Sequence, residues 1–123
     1  MTDPHHTQVR PVVWSRDTVE HALAIDDVEG LLSAVIAVSM HEDSEYSEQL
    51  CVRLSRHPNF NVRGNAVLGF GHIARVHGKL DRKVVYPIIA EALKDGNEYI
   101  RGQAEYAKDD TTHFLGWKYE NGA

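Results

Sequence analysis

Cysteine is almost absent from this chain of 123 residues, which contains only Cys51. One cysteine cannot form a disulfide within the chain, and such sparse use is typical of a reducing compartment. Cys51 lies between Leu50 and Val52, with no basic residue beside it that would lower its pKa. We therefore expect Cys51 to be an unreactive residue of the apolar core rather than a nucleophile.

Long apolar runs are also lacking. The longest apolar stretch, Leu31 to Met40, is interrupted by Ser33 and Ser39 and has about half the length that a bilayer span requires. Met1 to Arg10 is polar and carries no apolar run behind a basic start, which does not fit a secretory signal. These features predict a cytoplasmic protein that does not associate with a membrane.

Positive charge is scarce. The chain has 13 Lys and Arg against 18 Asp and Glu, a formal net charge of −5 with its histidines neutral. Nucleic-acid binding requires clustered Lys and Arg to neutralise phosphates, so a nucleic-acid partner is not expected. An acidic surface favours a basic protein partner. Apolar residues make up 42% and charged residues 25%, which is typical of one ordinary globular domain.

An internal repeat is the most informative pattern. The segment Val62-Arg63-Gly64-Asn65-Ala66 returns 38 residues later as Ile100-Arg101-Gly102-Gln103-Ala104, and Asn59 returns at the same spacing as Asn97. A period near 40 residues is typical of solenoids, in which each helical hairpin buries its apolar face against its neighbours. The repeat predicts an all-α fold, an α-α superhelix of about three hairpins.

Apolar spacing places the helices of these hairpins. A first helix over 44–55 and its return helix after Asn59 or Asn61 make one unit, and 28–40 preceded by 17–24 makes a terminal hairpin. In the last unit, the first helix follows an N-cap at Asp81 and the return helix runs to about His113. The residues expected to face the core are Tyr46, Leu50, Leu54, Val62, Ala66, Gly69, Phe70, Ile73, Val84, Ile88, Leu93, Ile100, Ala104 and Ala107.

The domain boundaries follow from these helices. We expect a flexible segment over 1–14, a single helical domain over 15–118 and a frayed end over 119–123. Pro87 lies inside a predicted helix and should kink it. The segment from Phe114 to Trp117 should fold back over the last hairpin, as a cap or as part of an interface.

Four glycines fall inside predicted helices: Gly64, Gly69, Gly71 and Gly102. Each costs roughly 1 kcal/mol relative to alanine in a helix, so something should compensate for them. Close approach of neighbouring helices is the favoured explanation, and direct contact with a ligand is the alternative.

The repeated turn resembles the HEAT repeat, in which an acidic or amide residue precedes a Val-Arg pair and small residues that enter the second helix. The matching segments are 59–66 and 97–104, and the resemblance covers residues 44–117. The whole chain also resembles small HEAT-like immunity proteins of bacterial polymorphic toxin systems, including contact-dependent growth inhibition. That resemblance implies a short acidic protein that occludes a toxin domain.

Catalytic and metal-binding patterns find little support. His41-Glu42 is similar to the pairs through which HEAT-like hydroxylases hold iron, but it is the only pair in that order, and such a site needs three or four converging ligands. No serine lies in a nucleophile-elbow pattern and no glycine-rich phosphate loop follows a strand. We therefore expect no enzyme activity, no cofactor and no metal.

Candidate partner-binding residues lie on the return helices. His72 with Arg75, and Asp110 with His113, are spaced three apart and share a helix face, which is either a plain solvated surface or the surface presented to a partner. Asp109 and Asp110 near a helix end oppose the helix dipole unless a positive group meets them. The full set is His72, Arg75, Glu105, Tyr106, Asp109, Asp110, His113 and Trp117, with Tyr106 or Trp117 as an aromatic anchor.

The sequence therefore predicts a non-enzymatic protein-binding module, an immunity protein that neutralises a basic toxin domain. A stand-alone HEAT-repeat adaptor in regulation or assembly is the alternative. A small metal-dependent enzyme is the third reading. The oligomeric state, the affinity and the surface that binds stay open at this stage.

Overall fold

The computed structural model describes residues 14–120, which form six helices and no strand. In chain order they are α1 (Arg16–Ala24), α2 (Val28–His41), α3 (Ser44–Leu54), α4 (Phe60–His77), α5 (Arg82–Ala92) and α6 (Glu98–Leu115). They pair as three successive hairpins, α1 with α2, α3 with α4 and α5 with α6. The predicted all-α class is confirmed, and a superhelix of three hairpins is compatible with this arrangement. Within 14–120, no helix is both long and apolar enough to cross a membrane.

The repeat is carried by the residues that begin and end the helices. Side-chain oxygens of Asp43 and Asp81 cap α3 and α5, and those of Asn59 and Asn97 cap α4 and α6, by accepting backbone N–H bonds of the first turn. Helices α4 and α6 end at Gly78 and Gly116, whose φ values of 63° and 70° are left-handed. Each of these three pairs is separated by 38 residues, so the turns repeat as well as the helices.

The two layers of helices pack differently. The second helices of the hairpins, α2, α4 and α6, form a contiguous layer in which α4 contacts both neighbours extensively. The backbones of the first helices, α1, α3 and α5, lie farther from one another, and these helices meet through side chains: Arg16 lies over the Tyr46 ring, and Glu48 accepts a hydrogen bond from the backbone N–H of Asp81. The first helices are therefore separated by grooves, and the second helices make a closed surface.

Three of the four glycines singled out from the sequence lie where neighbouring helices are close, which confirms the close-approach explanation for them. A Cβ on Gly64 would meet the Tyr99 ring at 2.6 Å, one on Gly69 would meet Cys51 Sγ at 2.6 Å, and one on Gly71 would meet the Ala107 Cα at 3.2 Å. Gly102 is different, because its Cβ would meet nothing within 4 Å.

The core matches the sequence prediction in α3, α4 and α6 but not in α5. Of the expected residues, Leu50, Leu54, Val62, Ala66, Gly69, Phe70, Ile73, Ile100, Ala104 and Ala107 are buried. In α5 the buried residues are Val85, Ile89 and Ala92, while Val84 is 40% exposed. The predicted stripe was wrong by one position, because Val84 and Val85 are equally apolar and only packing against α4 and α6 decides between them.

The C-terminal segment closes the last hairpin. The chain turns at Gly116, and Trp117 is buried. The backbone N–H of Trp117 donates to the Thr111 carbonyl oxygen at 3.2 Å. Tyr119 stacks on Tyr86 with ring centroids 4.7 Å apart, and its hydroxyl lies 2.7 Å from Thr111 Oγ1. Tyr119, at which we expected fraying to begin, is packed on the domain by these contacts. Residues 121–123 lie outside the described range.

Other boundaries shift slightly. Helix α6 extends to Leu115 rather than His113, and α5 continues through Pro87 as one helix. Trp14, expected at the end of a flexible segment, packs against the core. The rest of that segment, 1–13, lies outside the described residues.

We predict that alanine has opposite effects at Gly71 and Gly102. Gly71→Ala should lower the free energy of unfolding by about 1–3 kcal/mol, because its methyl group would collide with the α6 backbone. Gly102→Ala should raise it by up to about 1 kcal/mol, because the position is exposed and helical. Urea unfolding monitored by circular dichroism measures both. Equal shifts in one direction would contradict the close contact of α4 with α6.

We predict that Cys51 does not react in the folded protein. Its side chain is fully buried against Ser39, and burial raises the pKa of the thiol to about 12. At neutral pH the thiolate that reacts with disulfide reagents is therefore scarce as well as inaccessible. Ellman's reagent should report no free thiol until denaturant unfolds the chain, and rapid labelling of the native protein would show that this part of the core opens.

Candidate partner-binding surface

Helix α6 carries the most exposed of the predicted binding residues. Ile100, Ala104, Ala107 and Thr111 face inward, so Glu105, Tyr106, Asp109 and His113 lie exposed on the opposite side. We call these four residues the α6 face. Tyr106 is 64% exposed, the largest exposure among the large apolar and aromatic residues of 14–120. The face thus places one aromatic side chain between two carboxylates and a histidine.

A polar cluster joins the α6 face to α4. Arg75 Nη2 lies 3.1 Å from His72 Nδ1, one turn away on the same helix. The carboxylate of Asp110 reaches across from α6 and lies 2.8 Å from the position that a Cβ on Gly71 would occupy. The absence of a side chain at Gly71 is therefore what lets Asp110 lie next to His72. The structure brings His72, Arg75 and Asp110 together across two hairpins.

The cluster favours neutral His72. Burial lowers the pKa of His72 first, and the charge of Arg75 lowers it further, whereas Asp110 opposes them by raising it. Arg75 can donate to Nδ1 only while that nitrogen is unprotonated, so the proton of the neutral ring sits on Nε2. The pKa of His72 is lower in the folded protein than in the unfolded chain. The contribution of neutral His72 to the free energy of unfolding is therefore fully present above pH 6.5, the ordinary pKa of histidine, and is lost as pH falls through the lowered pKa.

Two of the sequence-based arguments about this surface need correction. Trp117 is buried beside Tyr86, with ring centroids 6.2 Å apart, so it caps the core and leaves no exposed surface for a partner. Asp109 and Asp110 do not lie at the end of α6, because the helix continues for five residues beyond Asp110. The opposition to the helix dipole that was inferred for them is therefore small, since that effect falls off within the last turn.

Several exposed aromatic residues lie outside the set of binding residues predicted from the sequence. Phe60 and Tyr99 begin α4 and α6 and meet edge to face at 6.1 Å. The Tyr99 hydroxyl donates to Asn65 Oδ1 at 2.5 Å, and Phe114 is 42% exposed beside His113, with ring centroids 4.5 Å apart. These residues extend the aromatic surface of α6 along its length. The position just after the N-cap residues Asn59 and Asn97 was the signal that could have identified Phe60 and Tyr99.

The arginines of the repeated motif have structural roles. Arg63 Nη1 donates to the carbonyl oxygens of His57 and Pro58, and Arg101 Nη1 donates to that of Asp95 at 2.7 Å. Each arginine thus satisfies carbonyls that follow the first helix of its own hairpin. Each side chain turns back toward the loop that precedes its own helix.

The His41-Glu42 pair lies at the C-terminal end of α2. His41 is exposed at the end of α2, and Glu42 accepts a hydrogen bond from Arg16 Nε at 3.0 Å. Among the residues from 14 to 120, no three His, Cys, Asp or Glu side chains are grouped to hold a metal ion.

Comparison with protein-family models, with curated proteins and with solved structures gives no match.

We predict that the His72 pKa responds in opposite directions to its two neighbours. Arg75→Gln should raise it by removing a nearby positive charge, and Asp110→Asn should lower it further by removing a negative one. Titration of the imidazole protons by NMR measures both shifts, with the unaltered protein as the reference. An unchanged His72 pKa in both variants would show that α4 and α6 do not form this cluster in solution.

Proposed function

We propose that this chain is a non-enzymatic protein-binding module that acts as an immunity protein, binding a basic toxin domain in the cytoplasm and blocking it. The observation that carries the proposal is the α6 face, where Tyr106 is 64% exposed between Glu105 and Asp109. Exposed tyrosines surrounded by polar residues are frequent energetic centres of protein interfaces.

The charges of the α6 face suit a basic partner. Glu105 and Asp109 are both exposed and have no ion-pair partner within 14–120. Free carboxylates at the rim of an interface speed the diffusional encounter with a basic protein and add specificity. Tyr106 then supplies apolar area and a hydroxyl at the centre. The overall charge of −5 acts in the same direction.

Rigidity of the surface supports the same function. The α6 face lies on a helix packed tightly against α4 and held at its end by Trp117 and Tyr119. A surface that is already ordered loses little conformational entropy on binding. The resemblance of the repeated turn to HEAT repeats supports a role in protein binding rather than catalysis.

The test is a pull-down from the source organism at moderate salt, followed by measurement of protection. We expect recovery of the C-terminal domain of a large secreted protein, and we expect co-expression of this chain to rescue cells that produce that domain. Recovery of housekeeping complexes alone would favour a HEAT-repeat adaptor instead. Absence of rescue by a chain that binds the domain would rule out neutralisation.

The α6 face makes a quantitative prediction for that complex. Glu105→Lys with Asp109→Lys should lower the association rate roughly tenfold at low salt and weaken its salt dependence. Tyr106→Ala should instead raise the dissociation rate and cost about 2 kcal/mol of binding free energy. Surface plasmon resonance separates the two rates.

A matched charge reversal is available outside the α6 face, because Glu120 is also exposed. Glu120→Lys should leave both rates nearly unchanged. If it slows association as much as Asp109→Lys alone does, which changes the net charge by the same amount, net charge rather than the α6 face governs binding.

A further inference from the structure

The exposed side of the first helices carries two equivalent stripes. On α3 the stripe is Glu45, Gln49 and Arg53, and on α5 it is Lys83, Pro87 and Glu91; all six side chains are exposed. Residues four apart lie along one side of a helix. Each residue of the α3 stripe is also separated by 38 positions from its counterpart in α5, so the two stripes occupy the same places in successive hairpins.

The charges of the two stripes are reversed. Helix α3 reads acidic, neutral, basic along the chain, whereas α5 reads basic, neutral, acidic. None of the four charged residues, Glu45, Arg53, Lys83 and Glu91, has an ion-pair partner within the described 14–120 range. The two stripes thus form an alternating pattern of charges without ion-pair partners, on helices other than the one that bears the α6 face.

An apolar patch lies among these charges. A groove of about 430 Å³ opens between α3 and α5, lined by Val52 of α3 and Val84 of α5 with polar residues around them. Val84 is 40% exposed, although its neighbour Val85 is fully buried. Pro87 adds a second exposed apolar group at the middle of the α5 stripe. An apolar centre with a charged rim is the ordinary composition of a protein interface.

We propose that this side of the molecule binds a second copy of the chain. The two-fold axis of this dimer lies in the plane of the interface, perpendicular to both helices, and passes over Gln49 of α3 and Pro87 of α5. It places each helix antiparallel to its own copy. Residues equally distant from the axis then meet, so Lys83 faces Glu91 of the second copy and Glu45 faces Arg53 of the second copy. Each pair occurs twice, as an isologous interface requires.

The axis also places the apolar groups near the centre of the interface. Gln49 and Pro87 meet their own copies at the centre, and Val84 lies within one helical turn of Pro87. Four helices then form the interface, two from each copy, as in an antiparallel helix bundle. Pro87 suits such a contact because its ring is apolar and it has no N–H to leave unpaired. The α6 faces of the two copies stay exposed on the outside of the dimer.

Sedimentation equilibrium of the full chain from low to high micromolar concentration tests the proposal. We expect a reversible dimer with twice the chain mass at the upper end of that range. Lys83→Glu and Glu91→Lys should each raise the dimer dissociation constant roughly tenfold or more, because each variant replaces two attractive pairs by two repulsive ones.

The double variant Lys83→Glu, Glu91→Lys is the decisive measurement. It restores opposite charges across the proposed axis, so its dissociation constant should return close to that of the unaltered protein. Lys118→Glu, an exposed reversal outside both stripes, should have little effect. Circular dichroism verifies that every variant is folded.

A chain that stays monomeric throughout the concentration range overturns the proposal. So does a dimer that Lys83→Glu does not weaken, or one that the double variant fails to restore, because the pairs would then not face each other across this axis.

Discussion

The tight packing of α4 against α6 is the constraint on which the rest of the structure depends. Gly71 and Ala107 leave so little room between the two helices that an added methyl group would lie 3.2 Å from the α6 backbone. The short distance places Asp110 beside His72 and thereby builds a polar cluster from two hairpins. It also orients α6, because a helix that buries Ala104, Ala107 and Thr111 must expose Tyr106.

The same constraint explains why the two sides of the molecule differ. The second helices approach one another closely, whereas the backbones of the first helices lie farther apart. The surface of the second helices is therefore continuous and bears the α6 face, while the other side is grooved and bears the two charged stripes. The α6 face and the two stripes share no residues, so the two proposed binding surfaces can be altered independently.

The hydroxyl groups of the buried serine and threonine residues are satisfied by hydrogen bonds. Buried Ser39 and Ser47 donate to the carbonyl oxygens of Val35 and Val38, and Thr111 donates to that of Ala107 while meeting Tyr119. Asn65 bridges three hairpins, since its Nδ2 donates to the Leu32 carbonyl oxygen and its Oδ1 accepts from Tyr99. Such bonds fix how the hairpins align along the stack, in addition to the non-directional apolar contacts.

The sequence by itself determined the class, the hairpins and most helix ends. Asn59 and Asp81 indicate where helices begin, because their short side chains accept hydrogen bonds from backbone N–H groups. Gly78 indicates where a helix ends, because glycine tolerates a left-handed φ. Both are local properties of the sequence. Candidate residues such as Tyr106 and Asp109 could be proposed for the same reason, because helical spacing opposite an apolar stripe predicts exposure. The repeat predicted which helices stack.

Only the tertiary structure decided the rest. Whether Val84 or Val85 is buried depends on the rotation of α5 against α4 and α6, and neighbouring residues of equal hydrophobicity cannot encode it locally. Trp117 and Tyr119 became part of the core because Tyr86 and Thr111, distant in sequence, complete their surroundings. His72 and Asp110 are neighbours only because Gly71 lacks a side chain. Each of these outcomes is a contact between hairpins, and its energy depends on side chains that lie far apart along the chain.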